Sequence, residues 1–326
     1  MGDVTIRPVE GKGFGATVTG VDLRDLSDAA FADVRAGFLE HGFLLFPGQH
    51  LDEQASSDFG RRWGELEFGG QPIANQRKRR NGVYGDVVDV AAQLMRTNLG
   101  NEAWHTDSTY KPISSKCAML SAVLVPEEGG ETELADMRAA YADLDQATRE
   151  RIARLSAYHS TTYSQANDLG DFPDSNGEGI YGSVYHGEAY LRPLVKVHPE
   201  TAAPNLFVGR HAFGIPGLER DESRALLRSL VDFVVADERR VYSHRWTPGD
   251  LLFWDNRFVL HRARPYDYAR PRYLIGTRVA GDPRSELAYY PDDPRAEAGR
   301  QALAAELAIL RVEAKDRRYG ATTATS

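Results

Sequence analysis

Three residues that read as one ligand set are split across this chain, and any fold that uses them must bring distant segments together. His105 and Asp107 sit in Trp104-His105-Thr106-Asp107, and His261 closes the run Trp254-Asp255-Asn256-Arg257-Phe258-Val259-Leu260-His261. Two imidazoles and one carboxylate make a facial triad, which holds Fe(II) and leaves three coordination positions open. The His-x-Asp spacing suits an extended segment, where residues i and i+2 point to the same side. If the three converge, the chain is an oxygen-using iron enzyme. Taken alone, His-x-Asp is also what a surface histidine beside a carboxylate looks like.

The surrounding pattern favours sheet. Residues 4–24 alternate apolar and polar and predict short strands with a glycine turn. Phe43-Leu44-Leu45-Phe46 is a short apolar run between Gly42 and Pro47, the signature of a buried strand. Further strand-like runs fall at 117–125, 205–209, 239–246, 251–254 and 272–280. Helical periodicity is sparser: after Ser27, after Asp52 to about Trp63, and at 145–156, 221–236 and 294–317. Thr247-Pro248-Gly249-Asp250 predicts a tight turn between two strands. No Gly-rich fingerprint opens a βαβ unit, so a dinucleotide-binding fold has little support. The expectation is a single domain over residues 1–326, mainly β with flanking α-helices.

One stretch stands apart. Residues 160–193 are rich in Gly, Asp, Asn, Ser and Tyr with weak periodicity, and five tyrosines lie between Tyr158 and Tyr190 (both included). Long irregular segments inside compact domains are often lids, and this one is expected to fold over an active site. The helix at 294–317 carries Leu303, Leu307 and Leu310 on one stripe, which is expected to dock on the outside of the sheet, with subunit contact as the alternative.

Composition narrows the partners. The formal charge of -8 argues against a general nucleic-acid binder, which needs a positive face. The run Arg77-Lys78-Arg79-Arg80 is read as a solvated loop, with an anionic ligand as the sharper alternative. The single cysteine, Cys117, excludes an intrachain disulfide and sits in an apolar strand pattern, where an inert core thiol is expected. No stretch has signal-peptide character or the length of a membrane span, so the expected location is the cytoplasm. The expected partner is a small molecule, with a homo-oligomer also open.

Beyond the triad, the motifs resemble the TauD/TfdA family of Fe(II)- and 2-oxoglutarate-dependent dioxygenases over nearly the whole chain. The resemblance rests on Gly20-Val21-Asp22-Leu23, Phe59-Gly60-Arg61-Arg62-Trp63-Gly64, Trp104-His105-Thr106-Asp107 and Pro126-Glu127-Glu128-Gly129-Gly130-Glu131-Thr132. It continues through His198-Pro199-Glu200-Thr201, Pro248-Gly249-Asp250, Trp254-Asp255-Asn256-Arg257, His261 and Arg272. It implies a double-stranded β-helix, or jelly roll, with His105, Asp107 and His261 as iron ligands. It also implies that Arg272 grips the far carboxylate of 2-oxoglutarate and that Thr132 supplies a hydroxyl partner. The implied reaction consumes 2-oxoglutarate and O2, releases succinate and carbon dioxide, and hydroxylates a C–H bond. Related halogenating enzymes lack the carboxylate ligand, so Asp107 implies hydroxylation or desaturation.

The substrate is less legible. Sulfonate-oxidising members carry a second arginine four residues after the 2-oxoglutarate arginine, and here that position is Gly276. This disfavours taurine or an alkyl sulfate. Arg278 is the nearest cation, on the same strand face by parity. Asn101, Tyr110, Tyr163, Phe207 and Phe213 are the expected substrate-pocket residues, suiting an aromatic carboxylate or natural-product intermediate. A desaturase or cyclase would share the cofactor residues, and a non-catalytic jelly-roll binding module is the remaining alternative.

Overall fold

The computed structural model describes residues 4–78, 84–173, 187–289 and 295–323. Its core is a seven-stranded sheet in the order Thr5–Pro8, Ala16–Thr19, Phe43–Phe46, Leu251–Asp255, Cys117–Leu124, Tyr273–Val279, Leu66–Ala74. Pairing is antiparallel except between Ala16–Thr19 and Phe43–Phe46. A three-stranded sheet places Thr132–Asp136 between Val241–His244 and Val259–Ala263. Side chains from both sheets share one cluster: Phe43, Ala118, Leu252, Trp254 and Leu274 from the large sheet meet Leu134 and Val259 from the small one. This is a mixed β core with helices outside it.

Local chemistry explains the elements. The Ser27 hydroxyl accepts from the Ala30 N–H at 3.2 Å and opens the helix Asp28–His41. Gly42 closes that helix at φ 81°, and a side chain there would collide with the Phe258 ring. The Asp52 carboxylate caps Glu53–Arg61 in the same way. The Thr247–Asp250 turn forms as expected, with Gly249 at φ 95° and the Asp250 N–H donating to the Thr247 carbonyl at 3.0 Å. Cys117 is buried at the start of its strand, and burial pushes its thiol well above the ordinary value, as an inert core residue requires.

Several boundaries differ from the sequence reading. The helix expected over 145–156 stops at Ile152, and Ser156–His159 is a strand between Tyr190–Pro193 and Ala212–Phe213. Residues 239–246 begin with a 3-10 turn, Glu238–Arg240, before the strand Val241–His244. The strand near 205–209 is Pro204–Leu206. The stretch 160–193 is not irregular throughout. Thr161–Leu169 is a helix capped by Ser160 and by Gly170 at φ 62°, and most of its residues are buried. Tyr181 and Tyr185, and with them the middle of the expected lid, lie outside the described residues, as do Arg79 and Arg80. The C-terminal helix runs from Arg295 to Thr323, and Leu303 and Leu310 pack with Tyr163, Ala166 and Phe213. Its stripe therefore docks on the Thr161–Leu169 helix and its neighbours, rather than on the large sheet.

A buried charge network sets the turn that precedes His261. Asp255 is fully buried and accepts from the Arg257 Nε at 2.7 Å, from the Arg257 backbone N–H at 3.0 Å and from the His198 Nε2 at 3.1 Å. Arg257 also pairs with Glu200 at 2.6 Å. Removing one partner of a buried pair strands the other charge, at a cost of roughly 3–5 kcal/mol. Because Glu200 stays on Arg257, Asp255→Ala should lose stability near the lower end of that range. Denaturant unfolding of the metal-free protein checks it; a midpoint equal to that of the parent would show that the network does not stabilise the turn.

Candidate metal centre

The strand Val259–Ala263 carries His261, and the segment leading from Trp104 crosses beside it. The His105 N–H donates to the His261 carbonyl at 2.9 Å and the His261 N–H to the His105 carbonyl at 2.8 Å. A backbone bridge thus joins the two halves of the ligand set. Trp104 packs on the cluster that holds Ala135 and Leu260, with the Arg262 guanidinium 4.6 Å from its ring centroid. Past His105 the chain leaves strand geometry for a turn, and Ser108 takes φ 58°.

The three side chains converge. One ligand atom from each of His105, Asp107 and His261 lies within 4.8 Å of the other two, and all three residues are buried. The His105 Nδ1 is 2.8 Å from the Ala103 carbonyl. A carbonyl only accepts, so Nδ1 carries the proton and Nε2 keeps its lone pair. The His261 Nε2 is 3.5 Å from the Asp107 Oδ2, and its buried Nδ1 has no hydrogen-bond partner. Burial pulls His261 down to about 4, and lowers His105 well below its ordinary value with help from His261. Both imidazoles are therefore neutral near pH 7, as ligation requires. Burial pushes the Asp107 carboxyl up, but Arg278 and the two histidines outweigh it, so the group lies below its ordinary value. Two neutral nitrogen donors and one carboxylate fit a divalent iron.

A cavity opens over the triad. Its volume is about 780 Å³ counting the open mouth, and Phe68, Ile73, Met119, Leu120 and Leu274 supply its apolar wall. Asn101, Thr132 and Arg272 also line it. Arg272 is buried, its Nη2 donates to the Gly130 carbonyl at 3.0 Å, and its Nε has no partner. The Thr132 hydroxyl accepts from the Trp246 indole N–H at 3.2 Å. Tyr266 and Tyr268, whose rings lie 4.5 Å apart, complete that side.

The other expected pocket residues are placed elsewhere. Tyr163 and Phe213 stack on each other at 4.8 Å within the cluster under the C-terminal helix. Phe207 is buried, with His159 stacked at 5.9 Å and the Lys196 ammonium 4.4 Å from its ring centroid. None of the three lines the described cavity. They are core residues, because aromatic side chains on inward strand and helix positions have apolar neighbours to bury against. Tyr110 does not line it either; its ring meets His211 at 4.8 Å.

Two further polar side chains touch the triad's carboxylate. The Asn256 side-chain amide donates to the Asp107 Oδ2 at 3.3 Å and to the Ser115 hydroxyl at 2.9 Å. The Asp255-Asn256-Arg257 turn thus reaches the carboxylate directly. Arg278 also lies in the site, with Nη2 2.5 Å from the Asp107 Oδ1. Glu67 contacts Arg278, and no local sequence pattern marks it.

Known proteins agree with this geometry. The family described as "Taurine catabolism dioxygenase TauD, TfdA family" matches residues 5–278. The chain is 46% identical to an (S)-phenoxypropionate/alpha-ketoglutarate-dioxygenase of Sphingobium herbicidovorans, over 84% of this chain and 94% of that protein. It is 34% identical to an alpha-ketoglutarate-dependent 2,4-dichlorophenoxyacetate dioxygenase of Cupriavidus pinatubonensis, over 80% and 92%. The crystal structure of AAD-2 in complex with Mn(II) and N-oxalylglycine superposes with a TM-score of 0.77 at 32% identity, covering 86% of this chain and 97% of that one. Among the described residues, no helix is long and apolar enough to cross a membrane. With its triad assembled and its relatives aligned over most of their length, the chain belongs to the TauD/TfdA family and is a non-haem iron dioxygenase that uses 2-oxoglutarate to oxidise an organic substrate.

Proposed function

We propose that the substrate is an aromatic carboxylate of the aryloxyalkanoate type, hydroxylated at the carbon that bears the ether oxygen. The observation that carries this is that three guanidiniums near the triad each hold a buried N–H with no partner among the described residues: Arg272 Nε, Arg278 Nε and Arg210 Nη2. Arg272 and Arg278 line the apolar-walled cavity over the triad, and Arg210 is close enough to His105 to lower its pKa. Buried donors of this kind cost free energy until an anion meets them. 2-Oxoglutarate and an anionic aromatic acid would supply the carboxylates, and the apolar wall would supply the bed for a ring. Relatives named as phenoxypropionate and 2,4-dichlorophenoxyacetate dioxygenases support the same substrate class.

In this reading the two sheets are the halves of a double-stranded β-helix. His105, Asp107 and His261 hold Fe(II), while Arg272 and Thr132 hold the far carboxylate of 2-oxoglutarate. Iron and 2-oxoglutarate together supply the oxidation, with O2 consumed and succinate and carbon dioxide released. Asn101 faces the substrate side and is tied to the iron strand, its carbonyl accepting from the Ala263 N–H at 2.8 Å. Gly276 keeps the floor low. A Cβ there would come within 2.6 Å of the Ile73 side chain, so the space an oxyanion-binding arginine would need is filled by apolar wall. For a 2-aryloxypropionate, the hydroxylated product is a hemiketal, which breaks its C–O bond to release the phenol and pyruvate.

The test is turnover of 2-aryloxypropionates, racemic and resolved, by the Fe(II)-reconstituted enzyme, with succinate and phenol both measured. One phenol per succinate is the expected result. Loss of two hydrogens from the substrate would replace hydroxylation by desaturation. Succinate release that no aryloxyalkanoate stimulates would overturn the substrate class.

A further inference from the structure

The cation nearest the metal ligands has its own partner chain. The Arg278 Nη2 donates to the Asp107 Oδ1 at 2.5 Å, and its Nη1 reaches the Ser108 hydroxyl at 3.2 Å and the Glu67 Oε1 at 3.4 Å. Glu67 in turn accepts from the Ser108 hydroxyl at 2.7 and 2.8 Å and pairs with the Lys111 ammonium. Charges alternate along this partly buried path, carboxylate to guanidinium to carboxylate to ammonium. The path crosses from the Tyr273–Val279 strand through the edge strand Leu66–Ala74 to the turn just after Asp107. Phe68 covers it, its ring centroid 4.8 Å from the guanidinium carbon.

A strand irregularity makes this possible. Pairing of Tyr273–Val279 with Leu66–Ala74 shifts register between Gly276 and Arg278, and again before Val279. The extra residues lie on Leu66–Ala74, since Tyr273–Val279 keeps regular register with Cys117–Leu124 from Leu274 to Val279, and the consecutive residues Glu67 and Phe68 both meet Arg278. Register shifts of this kind re-aim side chains beside active sites.

The two oxygens of Asp107 are thereby given different surroundings. Oδ2 is the one 3.5 Å from the His261 Nε2, on the metal side, and receives Asn256 at 3.3 Å. Oδ1 is held by the guanidinium. We propose that Arg278, with Glu67 as its counter-ion, is a positioning residue that clamps Asp107 so that Oδ2 alone is presented to the metal. The planar fork matters: one guanidinium nitrogen serves Asp107 while the other serves Ser108 and Glu67, which a single ammonium cannot reproduce. The proposal rests on the triad as the iron site and is independent of the identity of the organic substrate.

The test is Mn(II) titration by calorimetry without 2-oxoglutarate or substrate, together with a thermal melt of each metal-free variant. Partners that orient metal ligands typically contribute about 10–100-fold to metal affinity. Arg278→Gln is therefore expected to weaken Mn(II) binding by roughly 10–100-fold, with Arg278→Lys in between and Glu67→Gln the mildest. An Arg278→Gln variant that melts as a folded protein and binds Mn(II) like the parent would overturn the clamp. Should that variant not fold, Arg278→Lys decides: unchanged Mn(II) affinity would overturn it, and weakened affinity in a folded protein would support it. No outcome depends on turnover of an aryloxyalkanoate, so failure of the substrate assignment and failure of the clamp give different results.

Discussion

His105→Ala, Asp107→Ala and His261→Ala are each expected to abolish nearly all turnover and to weaken Fe(II) or Mn(II) binding by more than about 100-fold, beyond what loss of an orienting partner costs. The fold should survive the histidine changes, because the bridge between the two segments runs through main-chain groups. The His105 N–H to His261 carbonyl bond and its reciprocal remain when either imidazole is removed. Asp107→Ala is different in kind. It takes the carboxylate away from Arg278 and leaves Glu67 as the principal countercharge. That variant should therefore also melt at a lower temperature than the two histidine variants. Metal titration of each folded protein is the deciding measurement. A variant with full iron occupancy and normal turnover would remove that residue from the ligand set.

The triad was legible because ligand chemistry is written in residue type. Few combinations other than a metal site explain His-x-Asp and a distal histidine set among the same strand motifs. The place of Arg272 and Thr132 at the cavity is legible only through the resemblance, since a buried arginine and a surface strand arginine look alike in sequence. Arg278 shows where parity arguments run out. Alternation places it on the face of Gly276, as found, but does not say that Asp107 meets it there or that a register shift on the partner strand brings Glu67 beside it. Glu67 was invisible for a related reason: its partners lie on the turn Ser108–Lys111 and on a neighbouring strand, far away in sequence.

The misplaced aromatics have a different cause. Residue type and neighbourhood put Tyr163, Phe207 and Phe213 in the pocket, but type alone does not say which side of an element faces a cavity. The helix Thr161–Leu169 had both caps in plain view, Ser160 and Gly170, yet its threonines and asparagine carry weak helix propensity. Packing under the C-terminal helix, where Leu303 and Leu310 meet Tyr163 and Ala166, supplies what propensity lacks. A long distance in sequence separates those partners, so no local window could have shown it.

Arg272→Ala is expected to act on 2-oxoglutarate more than on iron. The residue is buried, and burial lowers its guanidinium from the ordinary value, so the site holds a charge short of compensation until a carboxylate arrives. Its surroundings would outlast the substitution. The Arg272 backbone N–H donates to the Asn75 Oδ1 at 2.9 Å, and the Asn75 amide donates to the Arg270 carbonyl at 2.7 Å, so the strand entry stays pinned without the side chain. Losing one partner of a buried, hydrogen-bonded charge pair costs roughly 2–5 kcal/mol, which corresponds to about 30-fold to several-thousand-fold in affinity. Thr132→Val should be milder toward 2-oxoglutarate but carries a stability cost of its own, because it leaves the buried Trp246 indole N–H without its acceptor. Anaerobic titration of 2-oxoglutarate into the Fe(II)-loaded variants separates these effects, with Mn(II) affinity measured in parallel. If Arg272→Ala binds 2-oxoglutarate as the parent does, the cosubstrate carboxylate is held by another cation, and Arg278 and Arg210, the guanidiniums near the triad that also carry an unpartnered N–H, are the next to substitute.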